Sequence, residues 1–238
     1  MKRVLGLCFL LLGSVAGQAS PSEPVDLVLV LATDVSTSIN ERDYRLQQEG
    51  LASAFESEEV VFALTSAGMH GRVAVLYYEW AGISEQTIGV PWTIIDSAEA
   101  AKNYAARIRL VARSGGWTEM FDGSTGVAAA MNFGLSEIAK ADYPTTRRIL
   151  DISSDGIENT DVDVAPARQR ALEEGVHVNA LVISANINQA GNSDRLHMQS
   201  TVGHTNLLRY YQENVIVGPR AFALEASRFE DFGVAIKR

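Results

Sequence analysis

Val25-Asp26-Leu27-Val28-Leu29-Val30-Leu31-Ala32-Thr33 runs directly into Asp34-Val35-Ser36-Thr37-Ser38. The first part is apolar, rich in β-branched residues and short for a helix, so it reads as a buried parallel strand. The second part sets one carboxylate and two hydroxyls at alternate positions where that strand ends. Open α/β sheets bind their ligands at the carboxyl ends of their strands. Carboxylate and hydroxyl oxygens are hard donors of the kind Mg²⁺ prefers. The stretch therefore predicts a central strand with a metal site at its end.

Outward from it, strands and helices alternate. Asn40 is placed to cap a helix over 41–56, with Leu46, Leu51 and Phe55 on its apolar face. A short helix over 60–64 ends by Gly68. Residues 72–80 form a second strong strand. Residues 86–95 are strand-like, and Pro91 within them argues for an edge. The link of about five residues between these two makes the pair antiparallel. Asp96 or Ser97 caps a helix reaching Val111. Further helices are predicted over 126–140 and 163–174, the second closed by Gly175. Strands are predicted over 147–153 and 176–183. Residues 185–205 are polar and irregular. A helix over 207–213, a turn at Gly218-Pro219 between short apolar runs, and a helix over 229–237 complete the chain. This order predicts a doubly wound α/β fold: a mostly parallel sheet with one antiparallel edge strand and helices on both faces.

The chain has 238 residues, 47% of them hydrophobic and 21% charged, enough for one large domain with a sizeable core. Met1-Lys2-Arg3 is a basic start, 4–16 is apolar but short for a membrane span, and Gly17-Gln18-Ala19 is a small-x-small cleavage site. Residues 1–19 therefore read as a signal peptide and 20–238 as a single exported domain, periplasmic or secreted. Cys8, the only cysteine, lies in the leader, so the mature domain carries neither disulfide nor thiolate. Without the leader the formal charge moves from -9 to -11. That acidity argues against nucleic acid and against anionic membrane surfaces as partners.

Two later loops supply matching oxygens. Gly123-Ser124-Thr125-Gly126-Val127 opens a helix, and Ser153-Ser154-Asp155-Gly156 follows a buried strand. Neutral hydroxyls close to a Mg²⁺ ion, with carboxylates behind water, leave it electrophilic and with a vacancy for an acidic group. The loop hydroxyl is Thr125 or Thr118. Choosing Thr118 would bury Gly123 and Gly126 inside a long helix at about 1 kcal/mol each, which favours Thr125. The loop before it then sets Trp117, Thr118, Glu119, Phe121 and Asp122 on the rim, as partner contacts or local packing. Glu158 and Asn159 either line the site or cap a turn. The four histidines show no metal spacing, and neither a nucleophile elbow nor a phosphate-binding loop is present.

Asp-x-Ser-x-Ser after a buried strand, a loop threonine, and Ser-Asp-Gly after a later strand together resemble the metal-ion-dependent adhesion site of von Willebrand factor A domains. The stretches 25–38, 70–80, 91–96 and 147–156 also resemble an uncharacterised family of exported bacterial proteins with this fold. So do Tyr210-Tyr211, 215–219 and the final 228–232. The resemblance implies Ser36, Ser38 and Thr125 as direct ligands, with Asp34 and Asp155 acting directly or through water. It implies Mg²⁺, with Mn²⁺ able to replace it, and movement of the last helix as a control on affinity. The expected function is a non-enzymatic module that grips a carboxylate of a protein partner. The competing expectations are a scaffold with a vestigial site and a metal-assisted hydrolase.

Overall fold

The computed structural model describes residues 22–114, 123–184 and 207–238. The predicted signal peptide and the rim residues Trp117, Thr118, Glu119, Phe121 and Asp122 lie outside the described residues. A six-stranded sheet of order β3-β2-β1-β4-β5-β6 forms the middle layer. Its strands are β1 (Leu27–Asp34), β2 (Val73–Trp80), β3 (Gln86–Ile95), β4 (Arg148–Ser154), β5 (His177–Ile183) and β6 (Ala223–Ala226). All neighbours are parallel except β2 and β3. The fold is the doubly wound α/β arrangement that the alternation of elements predicts.

The helices are α1 (Glu41–Glu56), α2 (Glu58–Ser66), α3 (Ala98–Leu110), α4 (Val127–Lys140), α5 (Ala165–Glu173), α6 (Leu207–Asn214) and α7 (Phe232–Ala235). Because side chains alternate along a strand, β1 feeds two cores. Val28, Val30 and Ala32 pack with Met131 and Leu135 of α4, Ala167 of α5 and Tyr211 of α6. Leu29 and Leu31 pack with Leu51 and Phe55 of α1, Tyr104 and Ile108 of α3 and Phe232 of α7. Both cores are buried, so β1 reads as a continuous apolar run.

Several boundaries follow from named caps. The Asn40 side chain accepts the Asp43 N–H at 3.0 Å and starts α1. Ser97, not Asp96, caps α3, accepting from Ala100 N at 3.2 Å. Pro91 sits where the β2–β3 register slips between Thr93 and Val90, a bulge on an edge strand.

Three elements differ from expectation. Helix α5 starts at Ala165 rather than 163, because Pro166 favours the first helical turn and the Asp163 carboxylate accepts the Ala165 N–H at 2.9 Å from outside it. The two apolar runs around Gly218-Pro219 carry no assigned element in the sequence; the first forms an isolated bridge, Val178 with Val217, and the second leads into a strand at 223–226. The closing helix over 229–237 is a 3₁₀ turn, Phe229–Asp231, followed by the short α7. Gly233 lies against Gly50 of α1 so closely that a Cβ on Gly50 would stand 2.9 Å from the Gly233 Cα.

Candidate metal centre

The three predicted loops meet at the carboxyl ends of β1 and β4 and the start of α4. Asp34 ends β1, with its neighbour Val35 donating to the Trp80 carbonyl at 2.8 Å. The Asp34 carboxylate is fully buried. Its Oδ1 accepts the Ser36 N–H at 2.8 Å, and its Oδ2 accepts the Ser154 hydroxyl at 2.5 Å. Burial pushes this carboxyl up to about 6, opposed by the Ser154 and Ser36 hydrogen bonds and by the charge of Arg113.

The other oxygens form one chain. The Thr125 hydroxyl lies 3.4 Å from Ser36 Oγ, which lies 3.1 Å from Ser38 Oγ, which donates to Asp155 Oδ1 at 2.6 Å. Ser36 and Thr125 are buried, whereas Ser38 and Asp155 keep partial exposure. The set is therefore deep on the Asp34 side and open on the Asp155 side. All five sequence-predicted residues converge, with the Thr125 hydroxyl beside Ser36, while the alternative Thr118 lies outside the described residues.

The arrangement suits a small hard cation. Adjacent ligands of an octahedral Mg²⁺ stand about 3 Å apart when each is about 2.1 Å from the ion. The Ser36–Ser38 separation matches such an edge, and Thr125–Ser36 is slightly wider. Among the described residues no group of three or more His, Cys, Asp and Glu side chains could hold a metal, so the donor set is hydroxyl-rich with two carboxylates.

Neighbouring groups fix the loops. Gly123, at φ +70°, accepts from Thr37 N at 3.2 Å and from the Thr37 hydroxyl at 2.9 Å, docking the second loop on the first. A side chain there would strike Thr37, with a Cβ only 2.2 Å from its Cγ2. Asn159 and Thr125 bond reciprocally: Asn159 Oδ1 accepts Thr125 N at 2.7 Å and Asn159 N donates to Thr125 O at 3.0 Å. Glu158 accepts the Ala128 N–H at 2.8 Å, at the positive end of the α4 dipole. Of the two readings for these residues, Asn159 holds a proposed ligand in place and Glu158 caps a helix.

Sequence reasoning did not single out several supporting groups. Ser154 is one; its signal was a small polar residue at the end of a buried strand, next to Asp155. Tyr211 donates to the Gly156 carbonyl at 2.9 Å from α6, and Tyr210 accepts the Glu158 N–H at 3.3 Å. Gln47 donates to the Asp34 carbonyl at 3.3 Å. Arg113 donates to the carbonyls of Val35 at 2.8 Å and Ser36 at 3.1 Å. No local pattern marks these contacts, which the fold makes between residues distant in sequence.

Residues 24–238 match the model of the family described as Protein of unknown function (DUF1194), a von Willebrand factor A-like family, and the chain belongs to it. No curated protein matches the chain. Among solved structures it is similar to proximal thread matrix protein 1 from the mussel byssus, at TM-score 0.59 and 14% identity, covering 90% of this chain and 47% of that one. The same mussel protein is known with a zinc-occupied MIDAS motif, at TM-score 0.59 and 14% identity over 89% of this chain and 46% of that one. The pilus adhesin SpaC from Lactobacillus rhamnosus GG matches at TM-score 0.54 and 11% identity, over 90% of this chain and 30% of that one. The chain thus spans less than half the length of these solved chains. At such identities the likeness shows the von Willebrand factor A fold.

Proposed function

We propose that this domain is an exported binding module that holds Mg²⁺ through Asp34, Ser36, Ser38, Thr125 and Asp155 and captures a carboxylate of a protein partner. The observation that carries this is the unbroken chain of oxygens from Thr125 through Ser36 and Ser38 to Asp155, with Asp34 buried behind it. Mn²⁺ would serve in place of Mg²⁺. The ion supplies a Lewis-acidic vacancy; the protein supplies the fixed oxygens and the partly exposed Ser38–Asp155 edge where a partner's acid enters. The zinc-occupied motif of the mussel protein supports a divalent ion at this kind of site.

The role proposed is binding and not catalysis. Export is supported by the leader, and among the described residues no helix is long and apolar enough to cross a membrane.

The test is uptake and capture in Mg²⁺ against EDTA. Asp34→Ala is expected to abolish Mg²⁺ binding in calorimetry and to end capture of protein from a periplasmic extract, with the circular dichroism spectrum retained. Capture that continues unchanged in EDTA overturns the reading. Turnover of a generic phosphoester, lost in the same variant, would replace it with a hydrolase.

A further inference from the structure

Glu79 has no part in the proposed ligand set, yet it is a fully buried carboxylate close beside it. It lies on β2 in register with Thr33, the residue before Asp34. Four donors close on it. The hydroxyls of Tyr44 on α1 and Tyr77 on β2 donate to Oε1 at 2.8 and 3.0 Å. The backbone N–H and the hydroxyl of Ser114 donate to Oε2 at 2.7 and 2.8 Å. A buried carboxylate is costly unless its oxygens are satisfied, so these donors are bound into one unit.

The residue before Ser114 carries that unit to the metal loop. The Arg113 guanidinium lies 5.5 Å over the Tyr44 ring and donates to two successive carbonyls, Val35 and Ser36. Those carbonyls flank Ser36, and the Ser36 carbonyl also accepts the Ile39 N–H at 3.0 Å. Rotation of either peptide would swing the Ser36 and Ser38 hydroxyls away from Thr125 and Asp155. Bonding both carbonyls at once opposes that rotation. Both bonds come from one guanidinium nitrogen, Nη2, which sits between the two carbonyls.

We propose that Glu79 and Arg113 are positioning residues for the metal centre. Glu79 fixes the Arg113–Ser114 segment, and Arg113 fixes the backbone that aims the Ser36 and Ser38 hydroxyls. This rests on the reading of the three loops as a metal site, and the test separates the two.

Mg²⁺ calorimetry on the purified protein is paired with hydrogen exchange in EDTA. Glu79→Gln keeps the shape but turns one carboxylate oxygen into a donor facing donors. It is expected to weaken Mg²⁺ binding at least tenfold. It is also expected to speed exchange of the Ser36, Thr37 and Ile39 amides while those of β1 stay protected. Arg113→Ala gives the same pattern. The double variant binds no more weakly than the worse single one, because both act through one connection. If Glu79→Gln does not fold, Ser114→Ala, which removes one donor, gives a smaller loss of the same kind. A lowered melting temperature with unchanged Mg²⁺ affinity and loop exchange overturns the proposal, and so do additive losses. A wild-type protein that takes up no Mg²⁺ overturns the metal reading instead; exchange at 36–39 then decides the positioning role alone.

Discussion

Asp151 shows how much one side chain can weigh at a fixed position. It sits in β4 on the sheet face opposite Asp34, with its Oδ1 accepting from Asn179 Nδ2 at 2.7 Å. A cavity of about 70 Å³ adjoins it, lined also by Thr33, Ser153, Phe232 and Arg238. Burial pushes its carboxyl from 3.8 up to about 6. The folded pKa lies above the unfolded one, so the protonated acid favours the fold. That stability is fully present below about pH 4 and is lost as pH rises through about 6. An asparagine side chain at this position would imitate the protonated acid at every pH and still accept from Asn179. Asp151→Asn is therefore expected to match the wild type near pH 4 and to exceed it by about 1–2 kcal/mol at pH 8, allowing for the partial access through the cavity. Urea unfolding at the two pH values checks this; an equal effect at both pH values would sink it. At this same scale the sequence was legible where chemistry is local. Asp34, Ser36, Ser38 and Asp155 stand out by type and spacing. Thr125 is favoured over Thr118 only indirectly, by the helix that follows it and by the resemblance. Ser154 left only a faint local signature, and Glu79 and Arg113 none, since their roles come from partners 35 to 120 residues away.

At the scale of elements, α1 and α7 cross at a close joint. A Cβ on Gly50 would meet Phe232 Cδ1 at 2.8 Å and the Gly233 backbone at 2.9 and 3.0 Å. Alanine gains about 1 kcal/mol over glycine inside an exposed helix. Overpacking against backbone that cannot swing aside costs about 1–3 kcal/mol. Gly50→Ala is thus expected to destabilise the protein by a net of about 1 kcal/mol, the middle of the difference of those two effects, seen as a lower urea midpoint. A neutral or higher midpoint would show that α7 yields easily. Glycine at 50 weakens the case for a helix when read locally, yet α1 runs through it unbroken from 41 to 56. The reason is tertiary: the joint needs the missing side chain. The closing segment over 229–237 was read as one helix, whereas it is a 3₁₀ turn running directly into a short α-helix.

For the molecule as a whole, the proposed ligands come from three segments spanning 34–155, so no single segment can assemble the site alone. An ion bound there stabilises only the folded chain. Mg²⁺ at a hundredfold excess over its dissociation constant is expected to add about 2.7 kcal/mol to unfolding. Scanning calorimetry with increasing Mg²⁺ checks this, and Asp34→Ala should show no shift. Unchanged melting of the wild type would contradict the metal site. The doubly wound order was legible because strand and helix periods alternate cleanly and the central strand is apolar on both faces. The short final strand was harder to place, because the apolar runs on either side of Gly218-Pro219 are too short to show a strand period.

The bulge at Pro91 has a further consequence. Strand β3 closes one side of the sheet with a residue that cannot donate, in a register already broken. Strand β6 closes the other side with only four residues. Neither flank presents a long regular ladder on which a stray strand could add. Copies of the domain could therefore crowd together at high concentration without zipping edge to edge.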